Sequence, residues 1–103
     1  MAMQAPSVLV GQVEVDGQKA LGVRVELPNS PPLLILVANR GFIMCGYLAI
    51  DVAERLGVAA CVISGVRTFE DVLEGQVRAC TSKARELGIR EGMKGREALK
   101  LLM

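Results

Sequence analysis

PLLILVANRGFIMCGYLAI, residues 32–50, decides the fold. Leu33 to Ala38 is continuous aliphatic, with Ile35 and Val37 β-branched, which suits a strand covered on both faces. Asn39-Arg40-Gly41 reads as a turn, with Gly41 or Asn39 free to take positive φ. Phe42 to Cys45 is then a short returning strand. Gly46 follows, and a helix is predicted from about Tyr47 to Leu56. Leu48, Val52 and Leu56 form its apolar stripe, widened by Ala49 and Ala53, with Asp51, Glu54 and Arg55 opposite. Gly57 stops the helix. Val58 to Ser64, VAACVIS, is the next buried strand. The two strands and the helix between them make a compact βαβ unit, which should be parallel and right-handed.

Upstream, Val8 to Leu27 reads as a hairpin around Asp16-Gly17. Val13 and Val15 alternate with polar residues, and so do Leu21, Val23, Val25 and Leu27. A two-residue loop pairs Val13 with Ala20 and puts Val13 on the face of Arg24 and Glu26. A three-residue loop, Val15-Asp16-Gly17 with Gly17 left-handed, puts Val13 and Leu21 on one face. The apolar alternation favours the three-residue loop, because a one-residue slip turns an apolar face to water. Pro28, Pro31 and Pro32 with Asn29-Ser30 form a stiff polar connector, too short to separate domains.

Downstream, Gly65-Val66-Arg67 is a loop, and Thr68 is a helix N-cap with Asp71 completing a capping-box variant. Phe69, Val72 and Leu73 give that helix its apolar side before Gly75 breaks it. A longer helix is predicted from about Gln76 to Leu87, on the spacing of Val77, Cys80, Ala84 and Leu87. Gly88, Gly92 and Gly95 mark turns before a terminal helix, Arg96 to Leu102. The sum is a single α/β (α+β) domain over 1–103: a five-stranded mixed sheet, antiparallel at its N-terminal part, one βαβ unit, and helices in the C-terminal half.

Bulk properties bound the function. The chain has 103 residues, enough for one modest core. It is 51% hydrophobic but only 3% aromatic, with a mean hydropathy of +0.40. That aliphatic surface exceeds what a small sphere hides, so a homo-oligomer with an apolar interface is expected over a monomer with a few exposed leucines. The net charge of +1 and the absence of any like-charged block give no case for nucleic acid. Cys45, Cys61 and Cys80 are an odd set with no C-x-x-C, which reads as reduced thiols in a cytoplasm. With no histidine, a Ser-His-Asp or Cys-His pair is excluded within one chain, and a metal site is not expected. No signal peptide is read at MAMQAPS, and no apolar run reaches membrane-spanning length.

GFIMCGYLAIDVA, then SGVRTFEDVL and GMKGREALKLL, resembles the YunC-like family, small domains of unknown function in bacteria and archaea. The resemblance runs from about Val13 to the C-terminus, and the G-F-I-M-C-G-Y-L block is its specific part. It implies a small α/β fold and no established activity. Gly41, Cys45, Gly46, Arg67, Thr68, Gly92 and Gly95 stand at positions matching the family's motifs. Lys94 departs from the Ser-like helix cap that the resemblance implies there and cannot cap in that way, so the last helix should start more loosely.

The parallel βαβ unit yields a candidate site. Its two strands end at Cys45 and Ser64 on the same sheet edge, each followed by a predicted helix start. Ligands of open α/β sheets favour that crevice, and helix N-termini make it electropositive. The candidate ligand-binding residues are Gly41, Gly46, Tyr47, Ser64, Gly65, Arg67 and Thr68, for a phosphate, a carboxylate or another small anion. Cys45, at a helix start, is the candidate catalytic thiol; the plain alternative is a small buried residue at a tight corner. No cofactor is implied. Two functions stay open: an oligomeric module binding a small anionic ligand or a protein partner, and an enzyme with Cys45 as nucleophile. The lack of histidine and of a carboxylate pair near the crevice favours the first.

Overall fold

The computed structural model describes residues 7–103. Six strands form one mixed sheet whose spatial order follows the chain: β1 (Val8–Val15), β2 (Gln18–Val25), β3 (Leu33–Val37), β4 (Gly41–Met44), β5 (Ala59–Val62) and β6 (Ala79–Cys80). Four short helices accompany them: α1 (Ile50–Leu56), α2 (Phe69–Glu74), α3 (Ser82–Glu86) and α4 (Gly95–Leu102). Neighbouring strands pair antiparallel except β4 and β5, which run parallel around α1. The mixed sheet, the hairpin and the βαβ unit are therefore as the sequence implies, in an α+β single domain.

Among the described residues the strand count is six, not five. The extra strand, β6, lies where a helix over Gln76–Leu87 is predicted from sequence. Val77, Cys80 and Ala84 are buried as expected, but a strand, a cap and a short helix deliver them. Thr81 causes the break. Its wholly buried hydroxyl donates to the Val58 carbonyl at 2.7 Å and accepts the Ala60 N–H at 3.1 Å. The same oxygen accepts the Ala84 N–H and so caps α3. Pairing to β5 thus wins over helical periodicity.

The hairpin also differs from expectation. Asp16 (φ 51°) and Gly17 (φ 80°) form a two-residue turn, and Val13 pairs with Ala20. Both left-handed residues match the turn whose twist suits a hairpin. The three-residue loop is not formed. Val13, Val15 and Ala20 consequently point into the core with Leu34, Leu36, Ile43 and Cys61. Leu21, Val23 and Val25 point to the other face of the sheet.

α2 and α4 pack on the first face. Phe69 of α2 sits over Gly11 and Gly22, whose missing side chains make room for the ring. α4 contributes the fully buried Leu99 and Leu102. The second face is covered differently. α1 starts at Ile50 rather than Tyr47 and buries only Ala53. Ala53, Ala60 and Val62 are buried apart from the main core, so α1 shields the β5 end of the second face. The predicted stripe Leu48, Val52, Leu56 does not become core: Val52 is 42% and Leu56 72% exposed.

Other local expectations match. Thr68 caps α2 in a reciprocal capping box with Asp71. Gly57 ends α1 in the left-handed conformation. Lys94 stands at the N-cap of α4 without a side-chain hydrogen bond. No helix among the described residues is long and apolar enough to cross a membrane.

Candidate functional site

β4 and β5 are parallel, so their carboxyl ends, Met44 and Val62, lie on one edge of the sheet. The segments leaving them meet there. A cleft of about 430 Å³ is lined by Cys45, Gly46 and Tyr47 after β4, by Gly65, Val66 and Arg67 after β5, and by Pro31 and Pro32 of the connector. Tyr47 is half-exposed and its O–H donates to the Pro31 carbonyl at 3.0 Å, which ties the first wall to the third. Ser64 stands behind Gly46, where an added Cβ would meet the Ser64 Cβ at 3.4 Å.

Charge in the cleft comes from arginines. Arg67 is the one charged side chain lining it, and its guanidinium has no hydrogen-bond or ion-pair partner among the described residues. Arg24 donates from Nε to the Arg67 carbonyl at 2.9 Å and also pairs with Glu26. Arg78 donates to Ser64 Oγ at 3.2 Å. Neither Arg24 nor Arg78 is among the residues singled out from sequence. Arg24 looks like an ordinary solvated strand residue, and Arg78 falls inside the helix that does not form.

The helix-tip contribution is weaker than the sequence implies. α1 begins five residues beyond Cys45, so that thiol is not at a helix N-terminus. At α2 the backbone N–H groups of Arg67 and Thr68 both donate to the Asp71 carboxylate, at 3.1 and 3.2 Å. Those donors are already satisfied, by a negative charge. Thr68 Oγ accepts the Asp71 N–H at 3.0 Å, which makes Thr68 a cap rather than part of the cleft lining.

Cys45 lines the cleft but is only 4% exposed. Its N–H donates to the Leu34 carbonyl at 3.0 Å, and its Sγ accepts the Leu34 N–H at 3.3 Å. The side chain thus takes the place of a ladder carbonyl at the end of the β3–β4 pair. Gly41 does not join the group. It opens β4 at the far end of the strand and borders a second depression with Arg40, Gly57 and Lys83. Among the described residues no cluster of three or more His, Cys, Asp or Glu could hold a metal ion.

The other two thiols face each other across β5 and β6. Burial, and then the neighbouring Cys80, push the Cys61 thiol from an ordinary 9.0 up to about 12. A raised thiol pKa supports the fold fully below pH 9 and loses that contribution as pH climbs toward 12. The urea midpoint is therefore expected to fall between pH 8 and pH 10.5, and to fall less in Cys61→Ala. Equal drops in both proteins would contradict that assignment. At neutral pH iodoacetamide should leave Cys61 unmodified in the folded chain.

Comparison with known proteins adds relatives whose names state no activity. A family model described as a domain of unknown function (DUF1805) matches residues 44–102. The uncharacterized protein YunC of Bacillus subtilis (strain 168) is 41% identical over 98 residues, covering 88% of this chain and 93% of that one. The crystal structure of TA1206, a protein of unknown function from Thermoplasma acidophilum, is similar with a TM-score of 0.93 over 100% of both chains, at 27% identity.

Proposed function

Since the chain belongs to the YunC-like DUF1805 family, whose description carries no activity, the cleft has to speak for it, and we propose a module that binds a small organic anion there. The observation that carries this reading is the meeting of two loops at the carboxyl ends of adjacent parallel strands, in a cleft lined by Arg67, whose guanidinium has no partner among the described residues. Most of the wall is apolar or backbone: Pro31, Pro32, Val66, Gly46 and Gly65. Such a lining suits a compact apolar body with one carboxylate or phosphate directed at Arg67. Arg24, paired with Glu26, holds the Arg67 carbonyl, and Arg78 holds the Ser64 hydroxyl behind Gly46.

The thiol-nucleophile reading has one observation behind it, the presence of Cys45 in the lining. Against it stand the near-complete burial of that thiol, its engagement by the Leu34 N–H, and the absence of histidine from the chain. A corner-forming role accounts for the same contacts.

Binding is tested by thermal shift and calorimetry with inorganic phosphate and a series of straight-chain carboxylates. At least one compound should stabilise the wild type. Arg67→Ala should weaken its binding about tenfold or more, the scale of one charged hydrogen bond. That variant should fold normally, because the Arg67 side chain makes no hydrogen bond among the described residues. No shift with any compound, or equal binding by the variant, overturns the proposal.

A further inference from the structure

The hairpin register leaves an apolar sheet face without cover. Opposite the core, β1 and β2 present Val8, Val10, Leu21, Val23 and Val25. Beside them β3 and β4 present Leu33, Ile35, Val37, Phe42 and Met44. Val8 is 60%, Val10 61% and Leu21 44% exposed, and the rest are half-buried, Leu33 and Met44 of them packed against the core. α1 shields the β5 end, and among the described residues no helix packs as closely on this face of β1 and β2, where Val8, Val10 and Leu21 stay exposed. An antiparallel sheet that meets water on one side alternates apolar with polar residues. Here β3 is aliphatic on both sides, LLILV.

We propose that this face of β1–β4 is the surface through which two copies of the chain associate, sheet against sheet. Area is the first support. At ~3.3 Å per residue and ~4.8 Å between strands, β1–β4 project on the order of 400 Å². That projection, before pleat and side-chain relief are added, is about half of the ~800 Å² that each partner gives a standard interface. It also has the ~300–600 Å² size of the largest apolar patch on a typical monomer, a patch that is often functional. Charge is the second support. The charged members of the face are Glu14 and Lys19, one of each sign, directly opposite each other at the turn end. A surface that is neutral and carries both signs does not repel its own copy, and an isologous pair needs that self-complementarity. The aliphatic, nearly flat floor suits another sheet packed about 10 Å away.

The test is the mass in solution. Sedimentation equilibrium of the wild type at 1–100 μM should give about twice the 11.0 kDa monomer or a multiple of it. Val10→Glu puts a carboxylate within β1 on this face, where Val10 is 61% exposed, and should weaken association at least a hundredfold, giving a monomer with an unchanged circular dichroism spectrum. Leu9→Glu is the control, one residue along β1 but turned to the opposite side, and 55% exposed. It should leave the mass unchanged. Val8→Glu repeats the test nearer the strand end should Val10→Glu fail to fold. A monomeric wild type overturns the proposal. So does a folded Val10→Glu or Val8→Glu that stays associated, or a Leu9→Glu that dissociates equally, since that would place the contact at the β1 edge instead.

Discussion

Gly95→Ala is expected to destabilise the domain by about 3 kcal/mol or more, a large part of the total for a chain this size. Gly95 is buried at the first turn of α4. A Cβ there would lie 1.9 Å from the Val72 carbonyl oxygen and 2.8 Å from Ile63 Cδ1. The first obstacle is backbone of α2, which cannot rotate away. Gly95 also donates its N–H to the Gly75 carbonyl at 2.8 Å, so α4 is fastened to the end of α2 at that point. Making room means lifting α4, and α4 carries Ala98, Leu99 and Leu102 into the core. Urea denaturation followed by circular dichroism measures the loss. A midpoint equal to that of the wild type would contradict the close approach of α2 and α4.

Gly41→Ala should be comparably costly, on the order of 3 kcal/mol, for a related reason at another place. Gly41 faces Ala59 across the parallel β4–β5 pair. An added Cβ would fall 2.1 Å from the Ala59 carbonyl oxygen and 2.9 Å from the Ala59 Cβ. The two strands would have to separate, and Ile43 and Cys61, both fully buried, lie on them. Gly46→Ala supplies the contrast. Its nearest contact is the Ser64 Cβ at 3.4 Å, so it should cost under about 1 kcal/mol. If Gly41→Ala and Gly46→Ala proved equally mild, the tight pairing of β4 with β5 would be wrong.

These glycines show how far the candidate site was legible. In the G-F-I-M-C-G block, Gly41 and Gly46 look equivalent, and both are candidate ligand residues from sequence. Only strand pairing separates them: one holds two strands together, the other opens onto the cleft. Gly41 does not even use the positive φ that a turn glycine suggests. Cys45, Gly46, Tyr47, Gly65 and Arg67 do come together, because parallel strands joined by a short crossover must end on one edge. The contacts of Arg24 and Arg78 with the loop after β5 were not legible. Arg24 reaches Arg67 from a strand distant in sequence, and Arg78 reaches Ser64 across a strand that periodicity concealed.

By itself, the sequence determined what short-range chemistry decides. The aliphatic run and the Gly-marked reversal place β3 and β4, Gly57 ends α1, Thr68 with Asp71 starts α2, and Lys94 begins α4 without a cap. Tertiary structure decided which side of each element is inside. Alternation along Val13–Val15 and Leu21–Val25 reports two apolar faces, and no residue in the hairpin says which will meet α2 and α4. The Asp16-Gly17 turn fixed the pairing, Phe69 settled onto Gly11 and Gly22, and the remaining valines were left facing outward. β6 and the shallow seat of α1 were decided in the same way. Both depend on contacts with β5, and a contact between segments far apart in the chain leaves no periodic trace in either one.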